Sequence, residues 1–207
     1  MLTSFSKQVA SELIDEAKIQ RMAVEEILNT SLSLIPPGSD GLVLQPYWGP
    51  GLSRPLAKGA IIGFSDIHTR NHLYRAIIEG IAYALREGME SIQKSQHAKV
   101  HKIMISGGGS QSDAICQITA DIFGLPVSRV QTYETSTLGA AIATFVAAKE
   151  FNSVEEATKA MVHQGATFEP NEVAHQKYEY LYKKVYLNMF PQLKDIYKDI
   201  KKFNRKY

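Results

Sequence analysis

Gly107, Gly108 and Gly109 stand between a short β-branched run, Ile103 to Ile105, and a stretch where Ile115, Ile118, Ile122 and Phe123 recur at helical spacing. The pattern reads as strand, glycine turn, helix. Three residues without side chains make a turn on which a flat ligand can lie directly against the backbone. Ser110 or Ser112 is placed to cap the following helix, and the free N–H groups of its first turn favour an anion or the polar edge of a ligand. On this stretch alone the plainer reading, a tight turn between strand and helix, is the better one. The rest of the chain shifts the balance.

Other reactive side chains offer less. His68 and His72 are four apart, as are His97 and His101, but neither pair carries the His-Glu-x-x-His pattern of a zinc helix, and metal binding is not expected. There is no Gly-x-Ser-x-Gly elbow, no Walker A loop and no Gly-x-Gly-x-x-Gly fingerprint. The single cysteine, Cys116, lies beside the apolar stripe of the helix after the glycines and reads as a small buried hydrophobe. One cysteine makes no internal disulfide, so a reducing cytoplasm is the natural compartment. A formal net charge of +2 gives no global electrostatic case for nucleic acid. The basic tail, Lys194 to Lys206, is interrupted by Asp195 and Asp199 and reads as a solvated face. No apolar run is long enough to span a bilayer, and no signal-peptide pattern opens the chain, so no membrane partner is expected.

The elements that must hold the glycine turn follow from periodicity. With 207 residues, 44% hydrophobic, the chain can build one good core with helical appendages. Residues 1–35 read as a helical lead-in, helical from about Ser6 to Leu34, with Val9, Leu13, Ala17, Met22, Ile27 and Leu28 on apolar faces and Glu12 among the charges. Pro36 to Gly41 ends it as a hinge. Residues 36–150 carry the sheet and the glycine turn, and residues 151–207 add helices packed on the same domain. Leu42–Leu44 and Gly59–Phe64 read as strands. Between them, Pro46-Tyr47-Trp48-Gly49-Pro50-Gly51 either lines a cleft or plugs onto the core. A long helix from Leu73 to Ile92 presents Leu73, Ile77, Ile81, Ala84, Leu85, Met89 and Ile92, with Asn71 as its N-cap and Arg75 and Glu79 as a surface pair. Gly80 and Gly88 inside it suggest close approach of another element. Pro126 to Val130 is a further strand. Glu134 to Ala141 opens a helix of small residues suited to close packing on a sheet or a ligand. Ser153 to Glu156 is a capping box. From Asn171 to Phe203 one amphipathic stretch carries Tyr178, Leu181, Tyr182, Val185, Tyr186 and Met189, with a kink expected at Pro191.

Taken together, these pieces resemble the FGGY carbohydrate kinases. The run Gly59 to Phe64, then His72-Leu73 and Ala76 to Glu79, resembles that family's second signature, with Phe64 where an aliphatic residue is usual. Ser106 to Asp113 looks like its adenosine-binding motif. Glu134 to Ala141 resembles its late Glu-x-x-x-Leu-Gly-Ala-Ala stretch, and Pro37 to Leu42 the segment leading into its second domain. The four motifs occur in the family's order between Pro36 and Ala148.

The resemblance implies an α/β fold of the RNase H-like, actin/hexokinase type, a central mixed sheet flanked by helices. It implies ATP-dependent phosphorylation of a sugar. Gly108 would lie against the adenine–ribose part of ATP, Gly107 and Gly109 would shape the turn, and Ser112 would take the place of a side chain that contacts the nucleotide. The chain corresponds to the second half of such a kinase. The phosphate loops, most sugar contacts, most Mg2+ ligands and the aspartate general base belong to the first half, so no catalytic residue is assigned here. Positioning ATP, Mg2+ and that base together is what phosphoryl transfer requires, so the isolated chain should be inactive. Pro37 to Leu42 and the His72 helix look like the pentulose branch, while Pro46-Tyr47-Trp48 pulls toward glycerol kinases. ATP or ADP and, through the absent domain, a sugar are the expected ligands. An uncovered apolar cleft face would favour self-association into a homo-oligomer. The alternative is a non-catalytic interaction module that retains the ATPase-like fold.

Overall fold

The computed structural model describes residue 11 and residues 13–49 and 54–206. Ser6, Val9 and Glu12 of the expected lead-in helix, and Pro50 and Gly51 of the aromatic loop, lie outside the described residues. Two short helices, α1 (Leu13–Gln20) and α2 (Val24–Ser31), lead to a hairpin of β1 (Val43–Gln45) and β2 (Ala60–Ile62), antiparallel with Val43 opposite Ile62. Then comes α3 (Arg70–Gln96), 27 residues and so about 40 Å long. The second half runs β3 (Ile103–Ile105), a 3-10 turn over Gly108–Gln111, α4 (Asp113–Phe123), β4 (Val127–Val130), α5 (Thr135–Ala147), α6 (Val154–Met161) and β5 (Gln164–Phe168). It closes with α7 (Glu172–Leu181), a π turn over Tyr182–Tyr186 and α8 (Leu187–Lys206).

The sheet is mixed. β3 runs parallel to β4, with Ile103 opposite Val127, and α4 makes the crossover that a parallel pair requires. β5 pairs antiparallel on the far side of β4, with Val127 opposite Phe168. The periodicity did not anticipate β5, because Gln164 to Thr167 is polar and exposed, with no buried face to impose alternation.

One apolar core joins the segments. Leu28 and Leu32 come from the lead-in, Leu42 and Leu44 from the hairpin, Tyr74 and Ile77 from α3, Ile118 and Ile122 from α4, and Tyr178 and Tyr182 from the C-terminal helices. Gly80 is where α3 meets β1. A Cβ there would run into the Leu44 carbonyl oxygen and come within 2.9 Å of Leu44 Cδ2, so the expected close approach is made. At Gly88 a Cβ would meet nothing within 4 Å among the described residues. The expected apolar stripe is also too long. Leu85 and Ile92 are exposed, although at about 100° per residue they project within about 40° of Tyr74 and Ile78. The period is right, but among the described residues nothing covers that face toward the end of α3.

Three further expectations change. The N-cap of α3 is Thr69, not Asn71, and the His72 ring reaches back to it, with Nδ1 accepting the Thr69 N–H at 3.1 Å. Arg75 and Glu79 are not a surface pair. Glu79 is 2% exposed and accepts hydrogen bonds from Arg75 Nε (2.7 Å), Tyr178 OH (2.8 Å), the Gly38 N–H (3.1 Å) and the Ser39 hydroxyl (3.0 Å). Burial pushes its carboxyl above the ordinary carboxylate range, against the pull of Arg75. That network also removes the hinge. Gly38, Ser39, Asp40 and Gly41 all have positive φ, and the run is pinned to α3 through Gly38 and Ser39 rather than free to swing. The third change is at the C-terminal end. The four-residue step from Tyr178 to Tyr182 to Tyr186 overshoots a full α-helical turn by about 40° each time. The wider π turn absorbs the excess and lets Tyr182 and Tyr186 both pack on Tyr83, with centroids at 5.7 and 5.2 Å. The irregularity therefore falls there, and the helix runs on through Pro191 instead of splitting at it. Among the described residues no helix is long and apolar enough to cross a membrane.

Candidate ligand cleft

The glycine turn leaves β3 through Gly107, whose φ of 87° and ψ of 179° suit only glycine. Among the described residues, a Cβ at Gly107 or Gly108 would meet nothing within 4 Å, and at Gly109 only Ile115 Cγ2 at 3.9 Å. The backbone over Gly108 is therefore an open ledge. The two serines divide the work. Ser110 is buried, and its hydroxyl and N–H both donate to the Gly107 carbonyl, at 2.7 and 3.0 Å, clamping the turn. Ser112 is the N-cap of α4, its Oγ accepting from the Ile115 N–H at 3.4 Å. Cys116 sits beneath, its Sγ 3.4 Å from the Ser110 carbonyl and 3.6 Å from Arg129, and burial pushes its thiol up, in keeping with a small buried hydrophobe.

Gly108, Gly109 and Ser112 form one side of a cleft of about 450 Å3. The other side comes from α2 and the start of α3: Glu25, Asn29 and Tyr74. Tyr74 OH donates to Asn29 Oδ1 at 2.8 Å. Burial pushes the Tyr74 phenol above its ordinary value, and the Glu25 carboxylate adds to the shift, so the hydroxyl keeps its proton. Sequence reasoning missed this wall, because α2 reads as an ordinary amphipathic segment. The only signal was Glu25 and Asn29 at i and i+4, one face of a helix.

The other features singled out in the sequence fall elsewhere. In α5, Gly139, Ala140 and Ala143 are exposed and only Ile142 is buried, so the expected tight packing of these small residues on the sheet is not made among the described residues. Thr135 Oγ1 donates to Ser106 Oγ at 3.4 Å, which sets the start of α5 beside the end of β3. In the aromatic loop Tyr47 packs edge-on against Phe190 at 6.1 Å, while Trp48 covers Gly59 and is half exposed. His72 spends both ring nitrogens locally: Nδ1 on Thr69, Nε2 on Asp40 at 3.1 Å. Among the described residues no group of three His, Cys, Asp or Glu is arranged to hold a metal ion.

Residues 3–148 match the FGGY family of carbohydrate kinases, C-terminal domain. The xylulose kinase of Bacillus subtilis is 32% identical over 184 residues, covering 87% of this chain and 36% of that protein. A glycerol kinase of Caldanaerobacter subterraneus subsp. tengcongensis is 34% identical over 147 residues, covering 71% of this chain and 28% of that protein. Among solved structures, the xylulose kinase of Rhodospirillum rubrum superposes with a TM-score of 0.76 at 29% identity, over 94% of this chain and 38% of that one. The chain thus spans from 28% to 38% of the length of these relatives. It has their actin/hexokinase-type ATPase fold, and with most of its length inside the family's pattern this chain belongs to the FGGY family of carbohydrate kinases, as a part of their C-terminal domain.

Proposed function

We propose that this chain is the nucleotide-binding, C-terminal half of a sugar kinase that transfers the γ-phosphate of ATP to a sugar hydroxyl, the sugar being a pentulose. The open ledge carries the reading: among the described residues even a methyl group at Gly108 would touch nothing within 4 Å, so a purine ring fits against bare backbone. The neighbouring motif order and the xylulose kinase relatives support both the nucleotide and the pentulose. In this reading Gly108 carries the adenine–ribose face, Gly107 and Gly109 set the turn, and Ser112 meets the nucleotide with the hydroxyl that also caps α4. In this reading the Mg2+ would be held mainly by the other half of the kinase and the phosphates it binds. The general base and the phosphate loops would come from there too, and the chain alone should not turn over ATP. In the cell it would act in the cytoplasm. Exposed Leu85, Ile92, Met104 and Phe145 favour self-association of the isolated chain.

Calorimetric titration with ATP tests the core of this. The chain should bind weakly, because only one side of the nucleotide is met. Gly108→Arg should abolish binding while leaving the melting temperature near that of wild type, since the new side chain leaves the ledge into open space. Undiminished ATP binding by Gly108→Arg sinks the assignment. Sugar-dependent ATP turnover by the pure chain, across a panel of pentuloses and glycerol, contradicts the predicted inactivity.

A further inference from the structure

We propose that Asn29 reads the base of the bound nucleotide, selecting an adenine-type edge, and that Tyr74 is the positioning residue that sets its carboxamide. This rests on the nucleotide reading above. Asn29 lies across the cleft from the glycine ledge, on a helix that no sequence motif marks. The Tyr74 hydroxyl donates to its Oδ1 at 2.8 Å, which fixes which end of the amide is oxygen. Tyr74 itself is 0% exposed and held in the core, so the orientation is set before any ligand arrives. A carbonyl oxygen has two lone pairs, and Tyr74 uses one. The Nδ2 group donates to no acceptor among the described residues. Asn29 therefore offers the cleft one acceptor and one donor, side by side and in fixed order.

The complement to that pair is an edge with a donor beside an acceptor. Adenine has one, its exocyclic amine next to a ring nitrogen, and the carboxamide of asparagine matches it bidentately. Hypoxanthine puts a carbonyl where adenine has the amine, so a base lying on the ledge in the same orientation would set oxygen against Oδ1.

Titration of the chain with ATP and ITP, which differ in that exocyclic group and in the proton that hypoxanthine carries on the neighbouring N1, tests the assignment. Wild type should bind ATP about tenfold more tightly than ITP. Asn29→Ala should lose about that factor for ATP and little for ITP, bringing the two together. Tyr74→Phe keeps the ring in the core and removes only the hydroxyl, so it should narrow the ATP/ITP ratio with a near-native melt. A loss of general packing would weaken both nucleotides alike and leave the ratio unchanged. An ATP/ITP ratio that survives in either variant, or a wild type with no preference, overturns the role of Asn29 while leaving the nucleotide reading standing. A wild type that binds neither nucleotide overturns both.

Discussion

Removing the carboxylate of Glu79 is the sharpest probe of how this chain holds its cleft together. Glu79 is 2% exposed and Arg75 6% exposed. Besides Arg75, the carboxylate satisfies the Gly38 N–H, the Ser39 hydroxyl and the Tyr178 hydroxyl. Arg75 also donates to the Leu32 carbonyl and, at 2.7 Å, to Tyr178 OH. In Glu79→Ala the guanidinium stays buried without its counter-charge, and the left-handed run from Gly38 to Gly41 loses two of its anchors. Breaking one side of a buried pair costs about 3–5 kcal/mol. At about 2–4 °C per kcal/mol for a chain of this size, the melting temperature should fall by about 6–20 °C. Scanning calorimetry and urea denaturation, both read against wild type, measure it. The double variant Arg75→Met, Glu79→Ala removes both charges, and its loss should be smaller than the sum of the Arg75→Met and Glu79→Ala losses by at least about 1 kcal/mol. A single-variant loss below about 1 kcal/mol, or strict additivity in the double, refutes the claim that this is a coupled buried pair. Tyr74 precedes Arg75 on the same helix turn, so the variant should also loosen the wall that faces the glycine ledge.

Two further outcomes follow from the geometry. Gly80→Ala should destabilise by about 1–3 kcal/mol, because the new methyl meets the Leu44 backbone, whereas Gly88→Ala should stabilise by up to about 1 kcal/mol through helix propensity alone; equal effects in urea titrations would contradict the packing described for α3. Burial opposes ionisation of Glu179, but Lys183 and Arg86 more than offset it, so its carboxyl titrates below the ordinary 4.5. A depressed carboxylate stabilises the fold above about pH 4.5 and loses that contribution as pH falls through the folded value. Glu179→Gln should therefore flatten the fall in stability below about pH 4.5, and an acid limb identical to wild type would remove the residue from the account.

Much of this was written locally. Ile115, Ile118, Ile122 and Phe123 are buried at the spacing that predicted them, Gly80 touches β1 as its cost suggested, and Ser153 caps α6 through the Glu156 N–H at 3.1 Å. Such features depend on neighbours within a turn or two, and a period or a cap is visible in a string of residues. The same holds for the glycine ledge, because Gly107 to Gly109 exclude side chains whatever surrounds them. The motif order that resembles the FGGY kinases is likewise a property of the string, and the family match covers it.

What lay beyond the sequence is what depends on partners far along the chain. Whether Arg75 and Glu79 sit on a surface or in a core turns on Leu32, Gly38 and Tyr178, and i,i+4 spacing is the same in both cases. The exposure of Leu85 and Ile92 depends on where the covering elements stop, which a correct helical period does not report. β5 exists because β4 offers a free edge, not because Gln164 to Phe168 is patterned as a strand. And the wall opposite the ledge is α2, carried there by the packing of Leu28 and Leu32 into the common core, so that Asn29 and Tyr74 face the glycines across a cleft. Three consecutive glycines were enough to say that the turn after β3 would present bare backbone. Which side chains look back at it was settled by folding, because core contacts between segments distant in the chain make that choice.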